Sequence, residues 1–170
     1  MLSNKPIISY QQATKFFIEI YIQPPTKFII DNYSILLPDC KFYPQTIAII
    51  LLEARMSLEK NNKQVQQEKQ RLKKEFLKLG NKIQSIAKKE KWLVEIIDPQ
   101  NGKPINSTSS QINFDIVSIV HELLGFTFNN TNSGCKLLNH PLKATAIYPN
   151  IILSNIDHKQ MDFLIKKTLI

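Results

Sequence analysis

Glycine is scarce in this chain. Four occur among 170 residues, at Gly80, Gly102, Gly125 and Gly134, and they never come close enough to form G-x-G-x-x-G or a P-loop. Glycine-rich phosphate loops are therefore excluded. Cysteine is scarcer still: Cys40 and Cys135 make no C-x-x-C pair and no disulfide framework, and read as free thiols of a reducing compartment. The three histidines, His121, His140 and His158, give no H-x-x-x-H spacing. His121 and His158 have no evident carboxylate partner at metal-ligand spacing, which leaves them as surface or locally bonded rings. The longest apolar run, Ile47 to Leu52, falls far short of the roughly 20 residues a membrane-spanning helix needs. The N-terminus, MLSNKPIISYQQATK, has no signal-peptide core. A soluble, cytoplasmic chain with no membrane partner is the expectation.

Charge is present in excess of one sign. The formal net charge is +8, and 43% of residues are hydrophobic, enough for one domain to bury a core. Between Glu59 and Lys91 eleven basic residues face four acidic ones, so nearly all the excess lies on one segment. The same segment carries Val65, Leu72, Phe76, Leu79, Ile83 and Ile86 at the spacing of an amphipathic helix. The lysines then form its solvated face. No arginine-rich loop or aromatic RNA-binding motif accompanies them, and no nucleic-acid partner is expected.

Phe16 to Ile22 (FFIEIYI) reads as a strand stopped by Pro24-Pro25. A short helix follows, N-capped by Thr26, with Phe28, Ile29, Tyr33, Leu36 and Leu37 on its apolar side and Pro38 ending it. Thr46 to Leu52 is apolar throughout, which suits a central strand covered on both faces. The long basic helix comes next, with Gly80 as a weak point inside it, then a strand over Trp92 to Ile97 and a turn at Asp98-Pro99-Gln100-Asn101-Gly102. A polar loop, Ile105 to Asn113, leads to a helix capped by Asn113 or Asp115 and stopped at Gly125. Phe126 to Phe128, Cys135 to Asn139, Ala144 to Tyr148 and Ile151 to Ser154 look extended, the last two separated by Pro149-Asn150, and a helix from Asp157 to Lys167 closes the chain. The pattern predicts a short segment, 1–15, and one α+β domain over 16–170 with several antiparallel pairings.

Little in this sequence offers catalytic chemistry. Asp98 before Pro99 is a turn residue, and Cys40 has only Lys41 beside it and reads as structural filler. Cys135 differs. Gly134 before it allows close approach of a ligand or an unusual backbone angle, and the charge of Lys136 after it favours a thiolate, a soft ligand suited to soft or borderline metals. His140 lies five residues on, an offset that points the two side chains to opposite faces of a regular strand. A protease-like pair is discounted for that reason. Taken locally, Cys135 reads as an ordinary buried cysteine.

Several segments, in order, resemble the CblD family of cobalamin-trafficking proteins, the methylmalonic aciduria and homocystinuria type D proteins. They are Gln23-Pro24 with the short helix ending Leu36-Leu37-Pro38; FLKLGNKI to EIIDPQNG (Phe76 to Gly102); and LLGFTFNNTNSGCKLLNHPL (Leu123 to Leu142), with L-G-F, G-C and H-x-L elements at similar spacing. The family has two adjacent cysteines after the glycine where this chain has Gly134-Cys135-Lys136, and Trp-Gly where it has Lys143-Ala144. The resemblance implies a nitroreductase-like mixed sheet with flanking helices that has lost its flavin. It also implies an adapter rather than an enzyme, docking on a CblC-like cobalamin-processing partner, where the cysteine of the G-C element coordinates the cobalt of bound cob(II)alamin. Carried over, cobalamin is the ligand shared with the partner, Gly134 and Cys135 are its contact residues, and Cys135 is the cobalt ligand. Two other classes stay open: a flavin-dependent reductase, and a basic module whose long helix binds nucleic acid or acidic protein.

Overall fold

The computed structural model describes residues 8–12, 16–107 and 110–170. In chain order the elements are β1 (Ile8–Gln12), β2 (Phe16–Gln23), α1 (Lys27–Leu36), β3 (Thr46–Glu53), α2 (Lys63–Lys89), β4 (Val94–Ile96), α3 (Ile116–Leu124), β5 (Phe128–Asn130), β6 (Lys136–Leu138), β7 (Ile147–Ser154) and α4 (His158–Leu169). Five strands form one sheet in the order β1-β2-β3-β7-β4, and β5 with β6 makes a separate hairpin. Every named pair is antiparallel, so the α+β domain is present and its sheet carries no parallel pair among these strands. The edge strand β1 comes from the segment 1–15 that the sequence reading set apart.

Alternation along the strands divides the core into two layers. On β3, Ala48, Ile50 and Leu52 face a cluster built with Leu72, Phe76 and Ile83 of α2 and Met161 and Leu164 of α4. Ile47, Ile49 and Leu51 face the other way, towards Ile29 and Leu36 of α1 and Ile119, Val120 and Leu124 of α3. This two-sided burial is why β3 reads as an unbroken apolar run and why it is central. Phe28, expected on the apolar side of α1, is 47% exposed.

The helix ends follow local chemistry. Thr26, Asn62, Asp115 and Asp157 each accept a backbone N–H through the side chain at the start of α1, α2, α3 and α4, and Gly125 stops α3 in the left-handed region. No helix among the described residues is long and apolar enough to cross a membrane.

Three expectations change. Gly80 lies on the buried face of α2, where an added Cβ would come 3.0 Å from Ile96 Cδ1; it permits close helix-to-sheet contact and is not a weak point. The strand over Trp92 to Ile97 shrinks to Val94–Ile96. Conversely, Pro149-Asn150 does not divide two strands, because β7 runs through it with Pro149 opposite Leu51 and Asn150 opposite Ile50. Ile97 N donates to Ile151 O, and the β4 register ends at Ile152. By alternation, the nitrogen of Pro149 points to the side of β7 where β4 has already stopped, so no ladder bond is lost there. Asn150 is fully buried, and its amide donates to Ile50 O at 3.1 Å and Tyr148 O at 3.0 Å.

Candidate functional site

Because β4 has three residues and β7 has eight, the first half of β7 has no strand beside it on that side. The space is a cleft of about 520 Å³, within the range of small-molecule sites. Its floor includes Tyr148 and Pro149, and its walls come from Lys69 and Gln70 of α2, the turn Pro99–Gly102, the first residues of α3, and Gly134 to Leu138 of the β5–β6 hairpin.

Cys135 lines this cleft and is exposed, so the local reading of a buried cysteine does not hold. Its backbone is pinned while its side chain is not. Thr131 N and Oγ1 both donate to Cys135 O, at 2.8 and 3.1 Å, and Cys135 N donates to Thr131 Oγ1 at 3.2 Å. Gly134 closes the same turn, its N–H bonded to Thr131 O at 3.0 Å, with φ of +79° and open space around a Cβ. Gly134 fills the backbone-angle role open to it in this fold.

Lys136 does not stand free beside the thiol. Its ammonium forms an ion pair with Asp115, the N-cap of α3, and donates to Ser118 Oγ at 2.7 Å. The partnership with Lys136 and the bonds from Ser118 keep the Asp115 carboxyl below the usual range, against the opposing effect of burial, which is the largest single influence. The expected electrostatic help for Cys135 is thus spent on tying the hairpin to α3.

His140 belongs to a different place. Its Nε2 lies 2.8 Å from Glu19 Oε2 of β2, and the same oxygen accepts the Tyr21 hydroxyl at 2.9 Å. Leu142 N and Lys143 N both donate to His140 Nδ1 at 3.1 Å. A nitrogen accepting two N–H groups carries no proton, so Nε2–H is the donor to Glu19. Burial, then the bond to Glu19, hold the Tyr21 phenol above its usual range. With its side chain 3% exposed and both nitrogens engaged, His140 is a structural joint between β2 and the turn after β6. The separation from Cys135 agrees with the discounted protease-like pair.

The remaining candidates are also placed. His121 Nδ1 is 2.7 Å from Phe126 O, a local contact at the end of α3, and His158 is the exposed first residue of α4. Cys40, read as having only a lysine nearby, instead donates to Glu95 Oε2 at 3.2 Å. Burial first, then the Glu95 charge, push its thiol up to about 12. Burial likewise raises the Glu95 carboxyl, against bonds from Cys40 and Asn106 that lower it.

Sequence reasoning missed Tyr148, Lys69 and the cleft itself, and also Glu19 and Glu95 as partners of His140 and Cys40. Nothing local signals pairs 121 and 55 residues apart. Among the described residues, no group of three or more His, Cys, Asp or Glu side chains can hold a metal ion. Comparison with protein-family models and with curated proteins finds no match to this chain.

Proposed function

We propose that this chain is a cobalamin-handling adapter that docks on a CblC-like processing partner and presents the Cys135 thiolate to the cobalt of the shared cargo. The observation that carries the reading is the exposed Cys135 that lines the cleft, on a hairpin whose backbone is fixed by Thr131 and whose position is tied to α3 through Lys136. A metal-facing thiolate needs an accessible sulfur and a rigid support, and needs neither a general base nor an oxyanion hole. His140, the one histidine near it in sequence, is committed to Glu19. The ordered resemblance from Gln23 to Leu142 supplies the cargo and the partner, and with them a nitroreductase-like ancestry without flavin, a cytoplasmic setting and a role without catalysis.

The test is spectroscopic. Cob(II)alamin bound to the CblC-like partner is mixed with this protein, and a Co–S absorption band is expected that is lost in Cys135→Ala and kept in Cys40→Ala. A spectrum unchanged by either substitution removes the cobalt-ligand role. A preparation that is yellow and releases flavin on denaturation would favour a reductase instead.

A further inference from the structure

We propose that the cleft beside β7 is a binding site for a small oxyanion, a carboxylate or a phosphate group, held by Tyr148 and Lys69. This goes beyond the cobalt-ligand reading and does not use the Cys135 sulfur.

Tyr148 is 9% exposed and lines the cleft, yet its hydroxyl has no protein partner among the described residues. The side chain is packed while its hydroxyl oxygen keeps contact with solvent, and a donor without a protein partner on a cleft wall is available to a ligand. Burial, then the charge of Asp98, keep the phenol above its usual range, so it remains a protonated donor at neutral pH. Lys69, half-buried on the α2 wall, makes no ion pair among the described residues.

Two other cations near the cleft have ion-pair partners, although the Asp98 charge still acts on the Tyr148 phenol. Lys136 is paired with Asp115 on the lining, and Lys73 with Asp98 at 2.9 Å. Among the described residues that line the cleft, Lys69 is the cation without an ion-pair partner. The first turn of α3 also lines it, and the N–H groups of Ile116 and Val117 have no backbone acceptor among the described residues. A cation, a neutral hydroxyl donor and free amides belong to residues that line the same cleft. All are donors, and the group that satisfies donors of this kind is an oxyanion.

The experiment follows amide shifts on adding inorganic phosphate, succinate or neutral succinamide at low ionic strength. Saturable shifts of Gly102, Val117 and Gly134 are expected with phosphate or succinate and not with succinamide, and the anion that saturates identifies the ligand class. Tyr148→Phe and Lys69→Gln should each weaken binding about ten- to a hundred-fold, as expected for hydrogen bonds to charged groups. Lys82→Gln, on the exposed face of α2, should leave it unchanged. Cys135→Ala should also leave it unchanged while abolishing the Co–S band, so the two proposals fail separately. Because the hydroxyl has no protein partner among the described residues, Tyr148→Phe should melt no lower than the native protein; a clear loss of stability would mean the hydroxyl is already bonded and would overturn the proposal. Absence of saturable binding, or equal binding by all variants, would also overturn it.

Discussion

If Cys135 is the functional thiol, Cys40 must be chemically silent in the folded protein, and the structure sets how silent. Thiol–disulfide attack requires the thiolate. With its thiol pushed up to about 12 by burial and by Glu95, Cys40 is ionised at pH 8 in roughly one molecule in ten thousand. In an unfolded chain a free thiol titrates near 8.5, so about a quarter is ionised at the same pH. Ionisation alone therefore slows Cys40 by roughly three orders of magnitude on folding, and its half-buried position adds to that. In a disulfide-exchange assay with 5,5′-dithiobis(2-nitrobenzoate) at pH 8, the native protein should release one equivalent of chromophore rapidly and the second only as it unfolds. Guanidinium should make both rapid. Cys135→Ala should abolish the rapid phase, and the slow thiol left in that variant should react about tenfold faster per pH unit between pH 7 and 9. Two rapid equivalents from the native protein, or a rapid phase surviving in Cys135→Ala, would refute the assignment.

Other substitutions probe the frame around the site. Glu68 is 5% exposed and bonds to both Arg71 and the backbone N–H of Arg55; the Arg71 bond is the main cause of its lowered carboxyl pKa. A folded value below the unfolded one contributes stability above about pH 4.3 that is lost as pH falls through the folded value. Glu68→Ala should cost about 2–3 kcal/mol at pH 7 by urea unfolding, and the gap from the native protein should close on acidification; a gap constant down to pH 3 would contradict this. Gly134→Ala, at φ +79° in open space, should cost about 1–2 kcal/mol. Gly102→Ala should cost at least about twice that, because its Cβ would stand 2.3 Å from Phe114 O, and equal melting of the two variants would refute the distinction. Phe76→Ala, which empties a fully buried site between α2 and the sheet, should cost about 3–5 kcal/mol by the same assay.

What could be read from the sequence was what is local. The caps Thr26 and Asp115, the stop at Gly125 and the turn at Asp98 to Gly102 are short-range chemistry, and each is where its residues predict. The central place of β3 followed from its apolar run. The continuity of β7 through Pro149 was not legible, because a proline's tolerance depends on whether a neighbouring strand reaches it, and that depends on where β4 ends. The cleft has the same origin. Gly134 and Cys135 could be nominated from sequence, but their exposure, and the commitment of Lys136 to Asp115, depend on the packing of the hairpin against α3. The Glu19–His140 and Cys40–Glu95 contacts join distant segments and have no periodic signature.

One buried side chain has a consequence for how the strands find each other. β3 and β7 are apolar on both faces, so sliding one along the other by a residue exchanges hydrophobic groups for hydrophobic groups, and burial alone is almost degenerate between alignments. Asn150 is a polar exception on β7: its amide donates to Ile50 O, opposite it in the observed alignment, while its Oδ1 has no partner among the described residues. We infer that this residue favours a single alignment at some loss of stability. Asn150→Leu should then melt no lower than the native protein yet show doubled amide resonances along β3 and β7, and one sharp set would refute that role. The cleft depends on that choice, since only a fixed alignment keeps Tyr148 opposite Leu52 and Pro149 beyond the end of β4.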